Sequence, residues 1–183
     1  MRNLLAGVCC VLGLPAMAAG LDVTVQGEGA NGTFHIELFD DVAPRHVERI
    51  TALAKAGEYD DVVFHRVIDG FMAQTGDVQY GKMGADMRMA GTGGSDMADL
   101  PAEFSDRSFD RGAVGMARSQ NPDSANSQFF VMFAPATHLN GQYTVVGEVT
   151  EGMDVVDAIK RGTGGNGAVV GQPDRMVSVT VTD

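Results

Sequence analysis

Short runs of residues along this chain have the patterns of β-strands. They either alternate apolar with polar residues or are apolar and rich in strand-forming residues, and turn residues separate most of them. The runs cover residues 21–25, 33–38, 64–68, 71–75, 112–117, 127–133, 144–149 and 177–181. Residues 44–57 and 153–162 show helical spacing instead. This order of many short strands and two short helices predicts a mainly β fold, in which a closed antiparallel barrel has its openings covered by the helices.

The first eighteen residues have the composition of a secretory signal peptide. Arg2 gives a basic start, residues 4–14 are apolar, and small residues flank Met17. The apolar run is too short to span a bilayer. We therefore expect a signal peptide over residues 1–18, a single domain over residues 19–183, a periplasmic location and no membrane insertion after signal cleavage.

Charge and cysteine content narrow the classes of protein further. The chain has 24 acidic and 13 basic residues and a net charge of −11, which becomes −12 without Arg2. Such a surface repels phosphate backbones, so we expect no nucleic-acid partner. Cys9 and Cys10 both lie in the predicted signal peptide, so the domain would depend on its hydrophobic core without a disulfide. A lipoprotein signal is disfavoured because Val8, and not a small residue, precedes Cys9.

The segment Phe64–Asp77, FHRVIDGFMAQTGD, places a permanent cation among large apolar side chains. Strand alternation predicts that Phe64 and Arg66 share one face, and that Met72 and Gln74 share a face of a second strand after an Asp-Gly turn. An unpaired buried charge is costly. Two interpretations follow, a structural arginine paired with a carboxylate or a guanidinium that points at a polar atom of a ligand in an apolar groove.

Together with other motifs, this segment resembles the cyclophilin family of peptidyl-prolyl cis-trans isomerases, particularly its secreted bacterial members. The matching motifs are FHRVIDGFMAQTGD, GTGGSD, AEF, GMAR, SANSQFFVMF and LNGQYTVVGEV, and the match runs from about Leu21 to Val181. The resemblance implies an eight-stranded antiparallel barrel capped by two helices. It also implies isomerisation of X–Pro bonds in unfolded or partly folded secreted proteins, with proline-containing polypeptides as partners. We expect a monomer.

The resemblance further implies which residues form the site. Arg66 and Gln74 match catalytic positions. The predicted substrate-binding residues are Phe71, Met72, Phe130 and Leu139 in the proline pocket, Gln128 beside Gln74, Ala117 and Arg118 at a strand end, Gly91 in a loop that rims a neighbouring specificity pocket, and His138 and Tyr143 at the rim. The alternative for the four apolar pocket residues is ordinary core packing.

The chemistry of these residue types suits rotation about an X–Pro bond. Rotation crosses a barrier of about 18–20 kcal/mol because amide resonance is lost. The twisted state has a pyramidal nitrogen with a free lone pair, to which a guanidinium can donate. Because this interaction exists only in the twisted state, it lowers the barrier. No bond is made or broken, so we expect no metal and no cofactor.

The chain departs from the family pattern at the rim of the site. His138 stands where many members have tryptophan. Because that position contacts cyclosporin in the family, the resemblance predicts weak inhibition by cyclosporin. Tyr143 replaces a common histidine and can still pack and donate a hydrogen bond. Arg118 stands where asparagine is frequent, and one interpretation is a preference for acidic residues flanking the proline.

Other functions have weaker support in the sequence. A groove that holds peptides without catalysis would be a chaperone or binding module, although such a protein does not need Arg66. The loop methionines Met83, Met87, Met89 and Met97 are soft ligands that suit Cu(I), but loosely packed apolar side chains are the alternative. Residues 162–167 fit G-x-G-x-x-G but follow a predicted helix, which disfavours a dinucleotide site.

Overall fold

A computed structural model describes residues 19–182, so the predicted signal peptide lies outside the described residues. The strands are β1 (Gly20–Gln26), β2 (Asn31–Leu38), β3 (Val62–Val63), β4 (Arg66–Ile68), β5 (Met72–Thr75), β6 (Ala113–Met116), β7 (Phe129–Met132), β8 (Val145–Glu151) and β9 (Arg175–Thr182). The helices are α1 (Pro44–Lys55) and α2 (Met153–Ala158), and short 3-10 turns occur at Thr137–Leu139 and Gly165–Gly167. Within residues 19–182, no helix has the length and apolar character that a membrane span needs.

The strands form one curled antiparallel sheet in the order β3-β9-β1-β2-β8-β6-β7-β5-β4. The predicted mainly β class with two helices is confirmed. The prediction of a closed eight-stranded barrel differs in detail, because the sheet has nine strands and ends at β3 and β4. Only Phe64 and His65 separate those two strands in the chain, and the strand pairing stops at these residues. The predicted strand over residues 64–68 is therefore shorter than expected, because β4 begins at Arg66, and β3 lies before the predicted strand.

The hairpin of β1 and β2 shows how alternation builds the core. Leu21 pairs with Ile36 and Val23 pairs with Phe34, and these four side chains are at most 1% exposed. Alternate residues of each strand face the same side. Full burial of a large apolar side chain contributes about 1.5–3 kcal/mol, so this face stabilises the curled sheet.

Helix α1 covers the sheet with an apolar face, as its spacing predicts. Val47, Ile50 and Leu53 are buried on it. Its N-cap residue, Ala43, gives no side-chain hydrogen bond to the start of the helix. The carboxylate of Glu103 instead accepts hydrogen bonds from the backbone N–H groups of residues 45 and 46 at 3.3 and 3.2 Å. A negative group at this end satisfies free N–H groups and complements the helix dipole.

The irregular segment over residues 78–101 contains no helix and only single-residue strand pairings. Polar side chains hold it in place. Asn126 accepts from the backbone N–H of Ser95 at 2.8 Å and donates to the carbonyl of Met97 at 3.0 Å. Buried Arg49 donates to the carbonyl of Ala98 at 2.7 Å. These contacts supply the hydrogen bonds that a strand or helix would otherwise give.

Candidate active site

The hairpin of β4 and β5 positions the predicted catalytic side chains. Arg66 lies opposite Gln74 in the register of these strands, and residues opposite each other project to the same face. The prediction that Phe64 shares this face is wrong. Phe64 packs in the main core with Val67, because the strand pairing is interrupted between β3 and β4.

The guanidinium of Arg66 is bound by neutral acceptors. Its Nη1 donates to Gln74 Oε1 at 3.1 Å and lies 3.9 Å from the sulfur of Met72. Its Nε donates to the carbonyl of Asn166 at 3.0 Å, and its Nη2 donates to Asn166 Oδ1 at 3.1 Å. Across residues 19–182, no carboxylate forms an ion pair with Arg66. Among residues 19–182 the structure therefore disagrees with the first interpretation given above, a structural arginine paired with a carboxylate.

Burial lowers the pKa of Arg66 from its ordinary value, while Tyr143 acts in the opposite direction. An arginine remains protonated under such conditions. The site therefore presents a permanent positive charge whose hydrogen-bond partners orient it without neutralising it.

A small cavity of about 150 Å³ lies beside this guanidinium. Its lining consists of Arg66, Phe71, Met72, Gln74, Ala117, Arg118, Phe130, Leu139 and Tyr143. The side chains of Met72, Phe130 and Leu139 are buried and supply an apolar base. Pockets for drug-sized ligands measure about 300–1,000 Å³, so this cavity suits one small ring.

Aromatic contacts hold the base and the rim of the small cavity in place. The ring of Phe130 stacks on Phe109 with centroids 5.7 Å apart and meets the ring of Tyr143 edge-on at 5.9 Å. At the rim, His138 stacks on Phe71 at 5.9 Å. The guanidinium of Arg118 lies 4.2 Å from the ring centre of Tyr143, a cation–π contact.

A second cavity of about 410 Å³ adjoins the first. Its lining includes residues 91–95 and Gln128, and it shares Gln74, Ala117 and Arg118 with the small cavity. Gly91 has a φ of +92°, and an added Cβ would lie 2.8 Å from the His65 ring. Glycine is required there both for its backbone conformation and for the close approach of this ring.

The loop that contains Gly91 is held by a buried carboxylate. Asp77 is fully buried, and its Oδ2 accepts from the N–H groups of Gly91 and Gly93 at 2.8 and 2.9 Å. Two hydrogen bonds to one charged oxygen are among the stronger ones in proteins. Asp77 therefore fixes the wall of the larger cavity, at the end of the motif in which Arg66 occurs.

Two glutamines connect that wall to Arg66. Gln74 Nε2 donates to Gln128 Oε1 at 2.9 Å, and Gln128 Nε2 donates to the carbonyl of Gly93 at 2.8 Å. Gln74 Oε1 in turn accepts from Arg66. We call this chain, from Gly93 through Gln128 and Gln74 to Arg66, the amide relay.

The structure brings all the predicted site residues to the two cavities or their rim. Gly91 and Gln128 lie at the larger cavity, His138 lies on the rim against Phe71, and the others line the small cavity. Their catalytic and binding roles remain predictions. Sequence reasoning missed Phe109 and Asn166. The only signal for Asn166 was its place in a glycine-rich loop, which says nothing about a contact with a residue 100 positions earlier.

Comparison with known proteins agrees with this geometry. The family model for cyclophilin-type peptidyl-prolyl cis-trans isomerases (with CLD) matches residues 21–181. A probable peptidyl-prolyl cis-trans isomerase of Brucella suis is 54% identical over 168 residues, which cover 91% of this chain and 86% of the relative.

Solved structures show the same architecture. A cyclophilin of Hirschia baltica superposes with a TM-score of 0.71 at 25% identity, covering 88% of this chain and 73% of that one. A Cryptosporidium parvum cyclophilin crystallised in the presence of the dipeptide Ala-Pro gives a TM-score of 0.73 at 23% identity, covering 90% and 99%. On the family match, the sequence relative and the fold together, this chain belongs to the cyclophilin-type peptidyl-prolyl cis-trans isomerases.

Proposed function

We propose that this isomerase acts on X–Pro bonds of unfolded or partly folded proteins exported to the periplasm, and so assists their folding. The observation that carries the proposal is a charged guanidinium without a carboxylate partner among residues 19–182, placed at the mouth of a small apolar cavity. Proline-containing polypeptides are the proposed partners. The Ala-Pro dipeptide used with the Cryptosporidium cyclophilin supports that choice.

In the proposed mechanism the proline ring enters the small cavity and Arg66 acts on the imide nitrogen. Arginine has five N–H donors. Gln74 and Asn166 together accept three of them. One N–H of Nη2 is left, together with one N–H of Nη1 whose nearest acceptor is the weakly accepting sulfur of Met72 at 3.9 Å. In the twisted state the proline nitrogen gains a lone pair that these N–H groups can meet. The apolar residues around the ring exclude water, which strengthens the interaction.

The periplasmic location and the monomeric state belong to the same proposal. Residues 1–18 have the basic start, apolar run and small-residue end of a secretory signal. Amino-terminal sequencing of the protein from a periplasmic fraction should find Ala19 first. A full-length chain confined to the cytoplasm would contradict the location, and gel filtration with light scattering tests the monomer.

Substitution of Arg66 by alanine tests the activity. Turnover of proline peptides should fall about a hundredfold or more, as for removal of a donor that acts only in the transition state. Arg88→Ala is a matched control, because Arg88 is exposed and pairs with Asp86 away from both cavities. Unchanged turnover in Arg66→Ala would refute the mechanism. Peptide binding without accelerated cis/trans exchange in the wild type would identify a binding module instead.

A further inference from the structure

The glycine-rich segment over residues 162–170, here the 162–170 loop, lies along β4 beside Arg66. The N–H of Gly162 donates to the carbonyl of Val67 at 2.9 Å, and the N–H of Val169 donates to the carbonyl of His65 at 3.0 Å. Arg66 also forms a single-residue antiparallel pairing with Ala168. The loop is therefore attached at both ends to the strand that holds the catalytic arginine.

Asn166 stands at the tip of this loop in a left-handed conformation, with φ of 55° and ψ of 28°. This region favours glycine, and asparagine is among the few other residues that enter it. Glycines flank Asn166 on both sides, so the chain places a side chain where a glycine would be less strained. A side chain that is kept in a strained backbone conformation near a site is a candidate for a role in that site.

The side chain of Asn166 contacts Arg66. Its Oδ1 accepts from Nη2 at 3.1 Å, while its backbone carbonyl accepts from Nε at 3.0 Å. These two acceptors meet one edge of the guanidinium, and Gln74 meets Nη1 at 3.1 Å. The planar group is therefore held from two elements, β5 and the 162–170 loop, and it cannot turn about its last bonds without losing one of these contacts.

We propose that Asn166 is a positioning residue that fixes the plane of the Arg66 guanidinium, so that its remaining N–H groups face the small cavity. The inference rests on the proposed function of Arg66. Asn166 itself does not line either cavity described above. Its loss should consequently lower kcat and leave KM unchanged, the pattern for an interaction that acts only in the transition state.

Asn166→Gly is the test variant, because glycine accepts the left-handed conformation and keeps the backbone carbonyl while removing Oδ1. Because a hydrogen bond to a charged group is lost, kcat should fall about tenfold. Asn166→Ala should give at least the same loss. Thr163→Gly is the control within the loop, since Thr163 is exposed and makes no side-chain hydrogen bond to Arg66.

A second readout separates positioning from a general effect on the loop. In Asn166→Gly, the Nη2–H resonances of Arg66 should shift and exchange faster with solvent, because their acceptor Oδ1 is gone, while Thr163→Gly leaves them unchanged. In an Arg66→Ala background, Asn166→Gly should have no further effect on turnover, because the group that it positions is gone.

The outcomes distinguish this inference from the proposed function. If Arg66→Ala loses activity but Asn166→Gly keeps the wild-type kcat, or raises KM with kcat unchanged, the positioning role is refuted and the proposed function stands. If Arg66→Ala keeps full activity, the proposed function fails and the inference fails with it. A fall in kcat alone, together with the shifted Nη2–H resonances, supports the positioning role.

Discussion

Gln128→Met should weaken catalysis although Gln128 does not touch Arg66, because the amide relay has a fixed direction. A carbonyl can only accept, so the carbonyl of Gly93 requires the amide nitrogen of Gln128. The oxygen of Gln128 then accepts from the nitrogen of Gln74, which turns the oxygen of Gln74 toward Arg66. Methionine has a similar length but cannot transmit this direction.

The magnitude follows from the contact at the end of the relay. In the wild type, Gln74 Oε1 lies 3.1 Å from Arg66 Nη1. If the amide of Gln74 rotates by half a turn, its nitrogen faces Arg66 Nη1 in place of its oxygen. The hydrogen bond to the charged guanidinium is then lost. Such a bond contributes about 1.5–3 kcal/mol. In Gln128→Met the amide of Gln74 can adopt either orientation, so the hydrogen bond is lost only part of the time. We therefore take the lower end of this energy range, which corresponds to a decrease of about tenfold in kcat/KM.

The assay is cis/trans exchange of a proline peptide, measured with Gln128→Met and Gln79→Met in parallel. Gln79 lines the same cavity and its side chain takes no part in the amide relay, so its variant controls for the change of a polar to an apolar wall. Urea unfolding should show that both variants keep their fold. If Gln128→Met retains the wild-type kcat/KM, or if Gln79→Met loses as much, the relay does not direct Arg66.

Three further predictions concern stability and inhibition. Asp174→Ala should lower the free energy of unfolding by about 3 kcal/mol or more in urea titrations, because this buried carboxylate accepts three backbone N–H groups; Asp157→Ala removes only an exposed ion pair and should cost less than about 1 kcal/mol. Burial lowers the pKa of His65 from 6.5 to about 4. Below pH 6.5 the unfolded chain therefore binds a proton that the folded chain does not. The free energy of unfolding falls between pH 6.5 and 4 by up to about 1.4 kcal/mol per pH unit. Unfolding midpoints of the wild type should therefore fall more steeply across this window than those of His65→Asn, and equal slopes would contradict the assignment. Cyclosporin should inhibit the wild type weakly and His138→Trp more strongly, and nanomolar inhibition of the wild type would count against the role given to His138.

Local patterns predicted the part of the site that lies within one hairpin. The turn at residues 69–70 and the alternation of β4 and β5 place Arg66 beside Gln74, and the register confirms this. Such contacts need only short-range rules, because the period of a strand and the length of a turn fix the register. The break at residues 64–65 was not predictable in the same way. It arises where the backbone N–H of Phe64 donates to the carbonyl of Asp174, more than one hundred residues later.

Contacts between distant segments carried no local signal. Glu103 caps α1 from beyond the irregular loop, and Asn166 reaches Arg66 from the other end of the chain. Both depend on the curl of the sheet, which is set by the packing of many strands together. The sequence shows that turn-forming residues occur in the 162–170 loop, but not against which strand the loop packs.

The partners of Arg66 are compatible with the role proposed for it. In a chain with 24 acidic and 13 basic residues, carboxylates are abundant, and four arginines pair with one, namely Arg88, Arg111, Arg161 and Arg175. The other arginines among residues 19–182, Arg66 included, form no such ion pair. Arg66 is held by an amide oxygen, a carbonyl and a second amide oxygen instead. A carboxylate would orient the guanidinium equally well, but it would also compete with the substrate for the charge. Neutral acceptors leave the lone pair of a twisted proline nitrogen as the strongest partner for the free N–H groups, and only that state of the substrate provides it.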